Sequence, residues 1–169
     1  MDYKAGEADI EFLTDLAEYA YDSPIALSAM SGIEDTTYIY NANNESNSSY
    51  VTRALDFDPQ DIRGATIPRS LFDKSNPYVT VREDSTAPEY WVHEYEHAGI
   101  RSLPQSKIDA IESFQGPRPE ELFVRVGDYI RAVDNNNIDF ANYIKDQIEG
   151  HFGRGSLPSL IKQYKDISD

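Results

Sequence analysis

The sequence contains no cysteine, so disulfides and thiolate metal ligands are excluded, and any bound ion must be held by nitrogen and oxygen. It also lacks any run of about 18 apolar residues, the length a membrane-spanning helix needs. The opening Met1-Asp2-Tyr3-Lys4-Ala5-Gly6-Glu7 has no basic region followed by an apolar stretch. We therefore expect a soluble, cytoplasmic chain with no standard signal peptide. Basic residues are scarce: fifteen Lys and Arg face thirty Asp and Glu, for a net charge of −15. A field of that sign repels phosphate backbones and anionic lipid surfaces, so neither nucleic acid nor membrane is an expected partner. With only six lysines, the acidic surface matches proteins of salt-saturated cytoplasm, where counterions screen self-repulsion. A halophilic host, or a virus of one, is the corresponding expectation.

What is present suffices for a core. Forty per cent of the 169 residues are apolar, and twelve Tyr and seven Phe are among them, which points to one folded domain over 1–169 and not a disordered chain. Ile10, Phe12, Leu13, Leu16, Ala17 and Ala20 follow helical spacing over 8–21, and Ser23-Pro24 closes that helix. The runs 36–41 and 50–55 are β-branched and aromatic, separated by the polar stretch 42–49, and predict a hairpin. Tyr78-Val79-Thr80-Val81-Arg82 predicts a third strand. Helices are expected at about 87–100, 104–115, 118–134, 138–150 and 157–166, each preceded by Pro, Ser or Asn. Strands first and helices last place the chain in the α+β class, with a small, mostly antiparallel sheet and a helical C-terminal half. No internal repeat or composition shift marks a domain boundary.

Histidine is rare, with three in the chain, and two of them fall in His93-Glu94-Tyr95-Glu96-His97. By chance this composition produces His-Glu-x-x-His in roughly one such chain in 250. Residues four apart share a helix face, so both imidazoles can reach one ion at about 2.1 Å. Glu94, one position round, can reach a water at that ion without binding the ion itself. This is the division of labour in zinc hydrolysis: the cation acidifies water and polarises a carbonyl, and the carboxylate takes the proton. Ala87-Pro88 starts the helix, and Trp91, Val92, Tyr95 and Ala98 give it apolar contacts. Glu96 puts a charge inside the motif and Gly99 occupies a position that is usually apolar.

Two histidines need a further protein ligand, and a carboxylate from another helix is the usual partner. After Gly116-Pro117, a helix with the stripe Leu122, Phe123, Val126, Tyr129 and Val133 carries Glu120 and Glu121 in its first turn. Either acid lies beside the buried stripe.

The His-Glu-x-x-His helix followed by Glu121-Leu122-Phe123-Val124-Arg125-Val126-Gly127 resembles the gluzincin metallopeptidases, in particular the anthrax lethal factor type and the metallopeptidases of phages and mobile elements. There, the leading Glu of a Glu-Phe-Phe-Ala-(Glu/Arg)-Ala-Phe helix is the third zinc ligand. The resemblance spans about 78–133 and implies zinc held by His93, His97 and Glu121, with Glu120 as the alternative ligand. It further implies Glu94 as catalytic base, a peptide or protein substrate, and a zincin-like fold whose 78–82 strand lies above the active helix. Gly127 stands where an aromatic is usual, and no Tyr lies between His97 and Glu121, where the lethal factor type carries a transition-state stabiliser.

Tyr129, Tyr143 or His151 is a candidate for that stabilising role. The two tyrosines also fit apolar stripes, and His151 also fits a helix C-terminus, where positive charge is favoured. Glu112 is a further candidate ligand, ranked below Glu121 because its helix reads as ordinary packing. Asp128 is a candidate partner for the second nitrogen of a ligand histidine. Asn135-Asn136-Asn137 and Asp56-Phe57-Asp58 lack the spacing of calcium loops and read as turns. The rival to a metallopeptidase is a structural or assembly protein without turnover, such as a virion component bound to other subunits of a viral assembly.

Overall fold

Proline at the first turn, where an N–H is unneeded, starts most of the longer described helices. In the computed structural model, which describes residues 16–20, 23–30, 37–40, 64–67, 78–82, 88–153 and 155–169, residues 16–19 are helical. The longer elements are α1 (Pro24–Met30), β1 (Thr37–Tyr40), β2 (Gly64–Ile67), β3 (Tyr78–Arg82), α2 (Pro88–Ile100), α3 (Gln105–Glu112), α4 (Pro119–Asp134), α5 (Ile138–Phe152) and α6 (Leu157–Ser168). Pro24, Pro88 and Pro119 are first helical residues. Ser23 does more than end the preceding helix: its Oγ accepts the Ala26 N–H at 3.2 Å and caps α1, satisfying a donor that the helix start leaves open.

The expected α+β fold with a mostly antiparallel sheet is not what the chain adopts. Of the residues with described side chains, 80% are helical and none lies in a strand. The three short strands form a mixed ladder in the order β1-β3-β2. β1 runs parallel to β3, with Thr37 opposite Val79, and only β2 is antiparallel to it. Alternation of side chains marks a strand but carries no information on which strand it meets or in what direction, so pairing was not legible. The expected hairpin partner 50–55 and the tip 42–49 lie outside the described residues, as do 8–15 of the first predicted helix. The five later helices fall at the predicted places, α3 ending three residues early and α5 and α6 each running two residues longer.

Two apolar clusters form the interior. The larger gathers Ile111, Phe114, Leu122, Phe123, Val126, Ile144, Ile148, Leu160 and Tyr164 from α3 to α6. α4 lies at its centre, touching α2, α3, α5 and α6. The smaller joins Trp91, Val92, Tyr95 and Ala98 of α2 to Leu16, Ala20 and Ala26. Each such buried side chain contributes about 1.5–3 kcal/mol by leaving water, before the loss of chain entropy is counted. α1 crosses α2 closely because Gly99 has no side chain: a Cβ there would sit 2.2 Å from the Ile25 carbonyl oxygen. α2 thus has an apolar face locked against α1; it also touches β2 and β3, and its remaining face turns to α4.

Candidate metal centre

On that remaining face, His93 and His97 stand one turn apart with ring centroids 4.9 Å from each other. Together with Glu94 they offer atoms that all lie within 4.8 Å of one another. Opposite them is the start of α4, where the partial positive charge of a helix N-terminus favours carboxylates. Glu121 Oε2 is 2.8 Å from His97 Nε2, and Glu121 Oε1 is 3.2 Å from His93 Nε2. The other nitrogen of each ring is also held by an acid: Asp128 Oδ2 meets His93 Nδ1 at 2.5 Å, and Glu120 Oε2 meets His97 Nδ1 at 2.6 Å. Glu94, buried, reaches His93 Nε2 at 3.7 Å.

Carboxylate oxygens accept and do not donate, so an imidazole flanked by acids on both nitrogens must carry two protons or face a cation. In the metal-free protein, protons fill the role. Burial by itself would lower both histidines. The Asp128 and Glu121 carboxylates instead bring His93 well above the ordinary histidine range. Hydrogen bonds to Glu120 and Glu121 raise His97 to about 10 against the repulsion of His93. Glu121 is half-buried, and its desolvation would raise it, yet the two histidines hold it well below the usual carboxylate range.

The donor set fits a divalent cation. A tetrahedral ion with bonds near 2.1 Å keeps its ligand atoms about 3.4 Å apart; Glu121 meets the two Nε2 atoms with different oxygens at 2.8 and 3.2 Å, so the three groups share one space and would part slightly around an ion. Carboxylates at both Nδ1 atoms keep those protons in place and turn the Nε2 lone pairs toward Glu121, the arrangement in which imidazole binds a metal. With no thiolate present, the set is two nitrogens and a carboxylate, a combination that can hold a divalent cation.

Beneath the histidines is a second polar cluster that local sequence patterns did not reveal. Asp128 Oδ1 accepts from Arg131 Nη2 at 2.7 Å, and Arg131 Nη1 donates to Glu96 Oε2 at 2.8 Å. The same Glu96 oxygen accepts from the Tyr164 hydroxyl at 2.6 Å and from Ser23 Oγ. Glu96 and Arg131 are 0% and 1% exposed, so each needs the other. Gly127 makes the space: a Cβ there would lie 2.5 Å from Glu96 Oε1 and 2.8 Å from the Tyr164 hydroxyl. The two departures at Glu96 and Gly127 are therefore one feature. An acid on the buried side of a helix was its visible sign, but Arg131, Tyr164 and Ser23 come from three other parts of the chain.

The remaining candidates separate clearly. Glu120 takes the outer nitrogen of His97 and does not face the shared Nε2 space. Glu112 is exposed on α3. Tyr129 packs against the larger apolar cluster. Tyr143 is exposed, and its hydroxyl accepts from Gln147 at 2.7 Å. His151 is in the last turn of α5, on the wall of a cavity that Glu121 also lines. Comparison with family models, with curated proteins and with solved structures finds no match.

Proposed function

We propose that the protein is a zinc-dependent hydrolase of metallopeptidase type, with His93, His97 and Glu121 as the zinc ligands and Glu94 as the base. One observation carries the reading: both Nε2 atoms face Glu121 while both Nδ1 atoms are held by separate carboxylates. The resemblance of these residues to the gluzincin motifs supports it and suggests a peptide bond as the target. A zinc ion held there supplies a Lewis acid that polarises a carbonyl and acidifies water.

The protein's own residues do the rest. Asp128 and Glu120 orient the two imidazoles and fix their tautomer. Glu94, held next to His93 on the rigid turn that carries it, accepts the proton of the attacking water and returns it to the leaving amine. Glu94→Gln tests this role, because the amide retains shape but cannot take a proton. We expect unchanged zinc content with peptide cleavage lowered about 10²–10⁴-fold. Wild-type zinc binding without any cleavage would favour the non-catalytic assembly protein, and undiminished cleavage by the variant would remove Glu94 from the mechanism.

A further inference from the structure

Next to Glu121, the surface opens into a cavity of about 290 Å³ between the start of α4 and the end of α5. This is near the lower limit for ligand pockets and suits one side chain or chain end. Leu122, Ile148 and Phe152 form its apolar part. Phe152 is seated by Gly116, which has φ 135° and whose missing Cβ would come 2.4 Å from the ring tip. A side chain there would be strained and would displace that wall.

The polar part of the wall is basic in a chain of net charge −15. Arg118, Arg125 and His151 line it, and Glu121, already engaged by both histidines, is the only acid among the described residues that does. Arg125 is held in position by donating Nε to Glu121 Oε1 at 3.1 Å and Nη1 to Gln147 Oε1 at 2.6 Å. Its Nη2 has no partner among the described residues. Arg118, exposed at the N-cap of α4, likewise makes no ion pair or side-chain hydrogen bond among them. Two guanidinium groups with N–H donors open to a ligand, lining one cavity with Leu122, Ile148 and Phe152, match an acid on a short aliphatic stem.

We infer that this cavity is a substrate subsite for a carboxylate, which makes the protein selective for peptides presenting an acidic group beside the bond to be cleaved. The inference rests on the metallopeptidase reading for what the neighbouring groups do, but not for its own test. The carboxylate has two sources, a Glu or Asp side chain or the C-terminus of the peptide, and they are separable by binding.

The test uses the full chain carrying Glu94→Gln, both zinc-loaded and metal-free, titrated with short alanine-based peptides. One pair has a central Glu or Gln with blocked ends, and the other a C-terminal Leu as free acid or amide. We expect one acid member to bind about tenfold more tightly than its amide counterpart. Tighter binding of the Glu peptide assigns the side chain, and tighter binding of the free acid assigns the chain end. Arg118→Glu, a change at an exposed position, should abolish that preference. Equal or undetectable affinities within both pairs, or a preference that survives Arg118→Glu, overturn the proposal. Failure to bind zinc would instead count against the metallopeptidase reading, and the metal-free titration would still report on the cavity.

Discussion

α2 carries two polar clusters one residue apart, and they are built for opposite ends. Around Glu96, which is fully buried, each charge has a fixed partner within the protein: Arg131, Tyr164 and Ser23 converge on a single carboxylate oxygen. Around His93 and His97, which are partly exposed, acids outnumber bases, and four carboxylates are in ion-pair contact with two imidazoles. The first is closed and neutral; the second is open, and its surplus of carboxylates is offset by protons on both rings. Asp128 joins them, with one oxygen on His93 and the other on Arg131. A buried salt bridge is weak evidence for stability in itself, but here it anchors Asp128, the residue that holds His93.

The contrast can be broken from the closed side first. Arg131→Met should strand Glu96 without a counter-charge and cost about 3–5 kcal/mol in chemical denaturation. Replacing Glu96 and Arg131 together by apolar residues should recover much of that loss. If the single variant lies within experimental error of wild type, the closed cluster does not behave as described. Gly127→Ala should follow at about 1–3 kcal/mol, because its methyl enters the space of Glu96 Oε1, and overpacking a tight interior has that scale. A double-mutant cycle with Glu96→Ala checks the cause: the Gly127 penalty should shrink in that background, leaving the part due to the Tyr164 hydroxyl and Arg131 Nη1.

Predictions on the open side concern affinity. Asp128→Asn should weaken zinc binding about 10–100-fold, the usual effect of removing the acid behind a ligand histidine. Glu120→Gln should weaken it less, since its side chain is 42% exposed and water can replace the contact. Competition with a chromogenic chelator measures both, and equal effects would contradict the distinction drawn between the two acids.

Protons give the smallest and sharpest comparison. In the metal-free protein, His93 and His97 are raised, the latter to about 10, so both rings are charged at pH 7. Each contributes stability that is full below the unfolded value near 6.5 and is lost as pH rises through the folded value. Metal-free protein should therefore lose stability between about pH 7 and 10 through these groups. Zinc at pH 7 must displace the Nε2 protons, and calorimetry in buffers of different ionisation enthalpy should record release of about two per ion. Release near zero would mean that the ion binds elsewhere.

The amino-acid sequence carried the open cluster far better than the closed one. His93 and His97 are related by the helical repeat, a local rule, and Glu121 required only one long-range pairing between two helices that their apolar stripes already announced. Asp128, a candidate for the second nitrogen, follows Glu121 by two turns and falls on the same face of α4. Glu96 looked like a blemish because its partners are contributed by Ser23, Arg131 and Tyr164, whose meeting depends on how α1, α4 and α6 pack. Gly99 and Gly127 were ambiguous for the same reason: an absent side chain has meaning only once its neighbour is known. The strand order was hidden because β1 pairs in parallel with a segment about 40 residues later, a connection that no turn signal announces.

The most direct test is the zinc content of purified protein after loading and exhaustive dialysis, measured for the wild type and for His93→Ala and His97→Ala. The account predicts about one ion per chain in the wild type and essentially none in either variant. An ion retained by both variants, or none taken up by the wild type, would contradict it.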